Sequence, residues 1–253
     1  MNTGKNQLSD FSQEGILRCA RYAFMPNKLS FCGPDKNKDL FGYCSYQKTD
    51  QGLNLILKDF QVMYPYLRMI ASSNKIKDPF DKRVIEAYWI GNSLLENISK
   101  SKLYWHLLDK QKLKKKLNRK LLKKVISKIP LGAKPHHSFH VLSVWKRTGN
   151  LGVYHMVKTM DLCRISWGEV MEIGDFNLKV RYKPLVLLAD KLGFGSFVEH
   201  NITYKINDSG FVNDLNVGDW ISFHWNFVCE KLNLNQVANL EKYTKESIKI
   251  VNS

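Results

Sequence analysis

A thiol and an imidazole stand at the ends of two segments patterned as short β-strands. Cys163-Arg164-Ile165-Ser166-Trp167-Gly168-Glu169-Val170 opens on a cysteine, and Val217-Gly218-Asp219-Trp220-Ile221-Ser222-Phe223-His224 closes on a histidine. Thiolate and imidazole are the side chains best suited to a soft or borderline transition metal. Upstream, Pro135-His136-His137-Ser138-Phe139-His140 holds three histidines within five residues. In a helix His136 and His140 share a face; in a strand Ser138 joins them. Cys163, His224, His137, His140 and His136 are therefore the candidate metal ligands, with His137 and His140 the preferred pair of the three upstream histidines. The five cysteines are odd in number and widely spaced, and no CxxC occurs. That pattern points away from a disulfide framework and from a closed zinc site, and toward reduced thiols. Cys32 in Cys32-Gly33-Pro34-Asp35, with Cys19 and Cys44, matches no zinc spacing. No GxSxG, P-loop or dinucleotide fingerprint marks a familiar catalytic class.

The elements that must position these residues fall into two patterns. From Ser12 to Ile129 the periodicity is helical. Glu14 to Phe24 forms one helix, with Pro26 just beyond its end. Leu53 to Met69 is a second, interrupted at Pro65. A third starts at Asp78 as N-cap, with Pro79 at the first position, and runs toward Ile98. Lys102 to Ile129 carries Leu103, Leu107, Leu113, Leu117, Leu121, Val125 and Ile129 on one stripe, which predicts a long amphipathic helix. Glu14, Arg18 and Arg21, and Arg83 and Glu86, read as interhelical salt-bridge partners. Pro130, Gly132 and Pro135 then break the pattern.

From Ser138 onward the period changes to two. Strands are expected over Phe139–Trp145, Val153–Lys158, Arg164–Ile173, Leu178–Val186, Val198–Ile206 and Trp220–Trp225. Turns are expected at Gly174-Asp175 and at Asn207-Asp208-Ser209-Gly210. A terminal helix follows, capped by Asn233 or Asn235. Several short strands and a closing helix predict a small β-barrel. The organisation is thus a helical domain over residues 1–132, a histidine-bearing connecting or strand segment over 133–160, and a barrel with its terminal helix over 161–253.

The C-terminal part, about residues 161–248, resembles the HypC/HupF family, small OB-fold-like chaperones of [NiFe]-hydrogenase maturation. Cys163 to Val170 is similar to the family's opening Cys-containing motif, and Asn177 to Leu187 to its second strand. Val217 to His224, followed by Phe227 and the Asn233 to Tyr243 helix, is similar to its Val-Gly-Asp-aromatic segment ending in His. The resemblance implies an OB-fold-like β-barrel with a C-terminal helix for this part, and with the helical pattern of the first half the chain is expected to be α+β: a helical N-terminal domain followed by that barrel. It makes Cys163 the essential cysteine and His224 the barrel histidine, holding an iron centre together with a protein partner, a maturation scaffold or a hydrogenase-like client. Trp167 and Phe227 are the candidates for the apolar docking surface such a chaperone needs. An accessory or assembly protein is expected rather than an enzyme. The alternatives are a metal-dependent enzyme using the same residues and an OB-fold nucleic-acid binder.

Charge separates these classes. The chain carries a net +16 over its 253 residues, yet ten of its basic residues lie between Lys110 and Lys128, where no acidic residue occurs. From Lys158 to the end, eleven basic residues face twelve acidic ones. A nucleic-acid-binding barrel spreads basic charge over its working surface, and this one is near neutral. Nucleic acid is accordingly not the expected partner, and Lys114, Lys115, Lys116 and Lys123 are the polyanion-binding candidates that remain. No run reaches the roughly 18 apolar residues of a membrane span, and the polar N-terminus lacks a signal-peptide core. A cytoplasmic location is the expectation.

Overall fold

A computed structural model describes residues 10–144 and 156–253 and gives an α+β architecture. Helix α1 (Asp10–Lys28) is the central element of the first half. Pro26 lies inside it and not beyond its end, because a proline two residues from a helix terminus costs only its own N–H. α2 (Asn37–Tyr46) and α3 (Gln51–Lys58) follow, α3 capped by the Asp50 carboxylate on the Leu53 amide. α4 (Met63–Ser73) carries Pro65 in its first turn, where the missing N–H has no helical acceptor to lose. The single helix expected across Leu53–Met69 is therefore two helices, parted near Phe60.

α5 (Lys82–Trp89) is capped by Asp81; Asp78 instead closes a turn on the Phe80 amide. α6 (Lys100–Trp105) runs into a π-helical turn, His106–Lys110, followed by α7 (Leu113–Lys116) and α8 (Arg119–Ile126). The expected long amphipathic helix is thus three short ones. Lys112 adopts the left-handed conformation (φ 56°), Leu117 is extended, and Asn118 caps α8 through its side chain. The apolar stripe is continuous across breaks that the backbone makes for local reasons.

α9 (His137–Phe139) passes into a second π-helical turn, His140–Val144. The strand expected over Phe139–Trp145 is helical as far as Val144, since each of these side chains is buried and no solvent-facing alternation exists. Trp145, and the first half of the strand expected over Val153–Lys158, lie outside the described residues; the second half caps and opens α10 (Val157–Cys163).

The sheet strands are β1 (Ser166–Ile173), β2 (Asn177–Tyr182), β3 (Leu185–Leu188), β4 (Lys191–Phe194), β5 (Val198–Thr203), β6 (Lys205–Ile206), β7 (Ser209–Gly210), β8 (Trp220–His224) and β9 (Phe227–Leu232). The hairpins expected at Gly174-Asp175 and Asn207–Gly210 form as β1–β2 and β6–β7. β9, which directly follows β8, is an addition. Five strands pair in the closed order β1-β2-β5-β9-β8, with β8 returning to β1. All pairs in that ring are antiparallel except β5 with β9, which are parallel. Val170, Leu178, Val180, Ile202, Ile221 and Val228 fill the ring. The capping box of Asn233 and Gln236 starts α11 (Leu234–Val251).

The main apolar core takes residues from both sides of residue 132, from Ile16 to Ile250. Phe24 of α1 meets Phe211 and Phe227 edge-on at 5.1 and 5.3 Å, which ties the helices to the outside of the strand ring. Arg18 and Tyr22 of α1 both bind the Glu230 carboxylate on β9, at 2.7 and 2.5 Å.

Candidate metal centre

Three separate elements bring one donor each to a single point. β8 delivers His224 as its last residue. Trp225 and Asn226 then reverse the chain with φ of 52° and 57°, the two-residue turn whose twist suits a β-hairpin. The Trp225 amide donates to the Leu162 carbonyl at 2.8 Å, and this bond docks the C-terminus of α10, with Cys163 at its end, against the turn. α9 delivers His137. Its start is held by His136, whose Nδ1 accepts the Ser138 amide, and by the Ser138 hydroxyl on Thr244 of α11 at 3.0 Å. One donor atom each from His137, Cys163 and His224 lie within 4.8 Å of one another.

The hydrogen bonds around the cluster set which ring nitrogens carry lone pairs. His224 Nδ1–H donates to the Tyr22 carbonyl at 2.8 Å, leaving Nε2 as a buried lone pair with no partner. That arrangement, one nitrogen anchored to a backbone carbonyl and the other free, is how metal-ligating histidines are oriented. Its origin is Pro26. In a regular helix the N–H of residue 26 bonds the carbonyl of residue 22; proline has no N–H, so the Tyr22 carbonyl faces His224 without that competitor. His137 contacts the Cys163 carbonyl through Nε2 at 2.8 Å and the Tyr88 hydroxyl through Nδ1 at 3.3 Å. The two imidazoles pack edge to face at 5.3 Å, with the Trp89 ring against both.

Burial governs the protonation of all three groups. It pushes His224 down to about 4 and His137 well below the usual range, the latter with help from the neighbouring His224. It pushes the Cys163 thiol up to about 12, aided by nearby Cys32 and opposed by the Trp225 indole N–H. At neutral pH the cluster therefore holds two neutral imidazoles and a protonated thiol. A nucleophilic cysteine shows the opposite, a lowered pKa beside a charged partner. A metal ligand set needs neutral imidazoles, already present here, and a thiol that gives up its proton on binding. Cys163 as a residue is half-buried, whereas His137 and His224 are buried.

Of the five candidate ligands, His137, Cys163 and His224 converge. His136 is stacked on Tyr243 at 5.6 Å and serves as a helix cap. His140 binds the Tyr66 hydroxyl at 3.1 Å and stays outside the cluster, so it is not the partner of His137 that the sequence pattern favoured. Trp167 is half-buried under Arg164 and beside Phe194. Phe227 is completely buried against α1, which removes it from any docking surface. Lys114, Lys115, Lys116 and Lys123 are exposed. Arg18 bridges Glu86 and Glu230, Lys82 pairs with Glu14, and Arg83 with its own cap Asp81. Cys19 and Cys44 are buried and their thiols pushed up, to about 12 for Cys44, by burial. The supporting residues that sequence reasoning missed are Tyr22, Pro26, Tyr88 and Trp225. Only Pro26 left a trace, as the proline read as lying just beyond the end of the first helix.

Fold and site together define an α+β protein with a closed ring of five strands and a buried Cys/His/His cluster at the ring's junction with its helices. The chain belongs to the family of unknown function DUF6390, whose model matches residues 11–253. No curated protein and no solved structure matches it. Among the described residues no helix is long and apolar enough to cross a membrane.

Proposed function

We propose that this protein is an accessory protein of metallocentre assembly, which holds a transition metal through Cys163, His137 and His224 and presents it to a protein client. The observation that carries the reading is the unpartnered, buried Nε2 of His224 facing the Cys163 thiol and His137. A lone pair buried without a donor is costly, and a cation among the three donors would satisfy it. One thiolate and two imidazoles suit zinc, copper, nickel or iron; the similarity to HypC/HupF chaperones favours iron. The strand ring supports the same relation. Counting only its five strands, the order is 1-2-3-5-4 closing on 1, with the third and fifth parallel, the arrangement expected of an OB-type Greek-key barrel. Three protein donors also leave a fourth position open, which suits a site that releases its metal.

The test is elemental analysis of protein purified without oxygen, wild type beside Cys163→Ser and His224→Gln, with circular dichroism to verify folding. About one metal ion per wild-type chain, and at least a tenfold loss in each folded variant, is expected. Equal metal content in all three proteins refutes the site. Iron displaced by zinc, with the site otherwise intact, refutes the iron assignment alone.

A further inference from the structure

On the far side of the helical half, α4 and α6 with its π-helical turn enclose a cavity of about 510 Å³. That volume lies within the roughly 300–1,000 Å³ typical of small-ligand pockets. Its lining is strongly one-signed: Arg68, Lys77, Lys102 and Lys110 against the single carboxylate of Asp109. None of these four cations is in an ion pair among the described residues; Lys102 instead reaches across to the Ser72 hydroxyl at 2.9 Å, joining the two walls. Four unneutralised cations around one cavity repel each other, and an anionic ligand would relieve that repulsion.

Charge is only half of the lining. The Trp105 ring lies at the lip, 54% exposed although it is among the largest apolar surfaces a residue can offer. Tyr64 stands in the opposite wall, held by stacking on Phe80 at 5.6 Å. At the floor, His106 is buried and its Nε2 takes the Gln111 amide at 3.1 Å. Burial pushes His106 down to about 3, so it is a neutral ring whose remaining N–H, on Nδ1, is a donor. The π-helical turn itself, His106–Lys110, is a distortion of a kind that recurs at functional sites.

We infer that this cavity is a binding site for a nucleoside phosphate, with the base against Trp105 and Tyr64 and the phosphates among Arg68, Lys102 and Lys110. The assignment is independent of the metal centre. A planar ring recognised by aromatic side chains, joined to an anion recognised by guanidinium and ammonium groups, is the ligand chemistry that uses both halves of the lining.

Isothermal titration of the full chain at low salt tests it, with ATP, GTP, adenosine and inorganic pyrophosphate as probes. At least one nucleotide is expected to bind at least tenfold more tightly than both adenosine and pyrophosphate. Trp105→Ala and Arg68→Ala, both at exposed positions, are each expected to weaken that nucleotide at least tenfold, whereas Lys245→Ala on the surface of α11 leaves it unchanged. Absence of binding by both nucleotides at millimolar concentration overturns the inference. So does pyrophosphate binding as tightly as the nucleotides, which identifies a simple anion site, and so does nucleotide binding that both pocket variants leave intact.

Discussion

Lowering the pH from 7 to 5 should strongly destabilise this protein, and histidine burial is the reason. His106 and His136 are held down to about 3, His224 to about 4, and His137 well below its usual 6.5, each first of all by burial. In the unfolded chain all four return to about 6.5. Between about pH 6.5 and 4 the unfolded chain therefore binds more protons than the folded one, so stability rises with pH across that window. The contribution is complete above 6.5 and is lost as the pH falls toward the folded values. At pH 5 the unfolded state gains roughly 1.5 pH units of protonation free energy per histidine, about 2 kcal/mol each at about 1.4 kcal/mol per unit. His106, His136 and His224 together remove about 6 kcal/mol, with His137 acting in the same direction; that is comparable to the whole stability of a typical domain, about 5–15 kcal/mol. Carboxylates titrate mainly below this window, which leaves the effect to histidine. Urea unfolding followed by tryptophan fluorescence at pH 7, 6 and 5 reads it directly. His136→Asn serves as the internal control, because asparagine keeps an acceptor for the Ser138 amide while removing one titration. Its loss of stability from pH 7 to 5 should be smaller than wild type's by about 2 kcal/mol. A stability that is flat from pH 7 to 5, or a variant with an undiminished slope, refutes the reasoning.

Other perturbations have definite outcomes. Phe227→Ala, at the contact of α1 with the strand ring, should cost about 3–5 kcal/mol in chemical denaturation; a cost under about 1 kcal/mol would show that the helices and the ring do not share a core. Gly91→Ala should destabilise strongly, since Gly91 sits at φ +99° and a Cβ there would meet the Tyr243 ring at 2.0 Å; a thermal midpoint equal to wild type would contradict that packing. Asn233→Ala removes the side-chain acceptor for the Gln236 amide, one half of the capping box on α11, and should cost about 1 kcal/mol, with Asn233→Asp recovering most of it.

What the sequence discloses follows the range of the interactions involved. The β1–β2 hairpin, the Asn207–Gly210 turn and the Asn233 cap are set by neighbouring residues, and all three are readable from composition and spacing. The breaks at Lys112 and Asn118 are equally local, yet the leucine stripe runs through them, because periodicity reports which side is buried and not where the backbone pauses. Phe139 to Val144 alternates like a strand but is buried all round, so its pattern carried no facing information. β9 begins with a continuous apolar run, Phe227-Val228-Cys229, that has no period to detect. At the cluster, Cys163 and His224 could be singled out from the sequence because few side-chain types bind soft metals, and the structure places them together. Which histidine of the 136–140 group joins Cys163 was not legible, because His137 is selected by contacts to Tyr88 and to the Cys163 carbonyl that no spacing rule encodes. The Tyr22 carbonyl is 202 residues from His224, and only the proline four residues after it hints that this acceptor is released.

The proposed metal centre would draw on the whole chain, and Glu230 is where that can be tested without touching a candidate ligand. Cys163 and His224 lie in the barrel half, but the acceptor that orients His224 is on α1, and α1 is fastened to β9 by Glu230, which takes hydrogen bonds from Arg18 and from the Tyr22 hydroxyl. Arg18 and Glu230 are nearly buried, with side-chain exposures of 10% and 12%. Removing one charge of such a pair strands the other, at about 3–5 kcal/mol, whereas replacing both by apolar groups of similar size is often neutral. Glu230→Gln should therefore destabilise by that amount and also weaken metal binding by about 10-fold or more, the usual cost of disturbing what holds a ligating histidine. Arg18→Met with Glu230→Met should recover most of the stability. If α1 acts on the centre only by holding the Tyr22 carbonyl in place, metal affinity should recover in the double variant together with stability. Metal affinity that stays at the wild-type level in a destabilised Glu230→Gln protein would show that His224 keeps its orientation without the tie between α1 and β9.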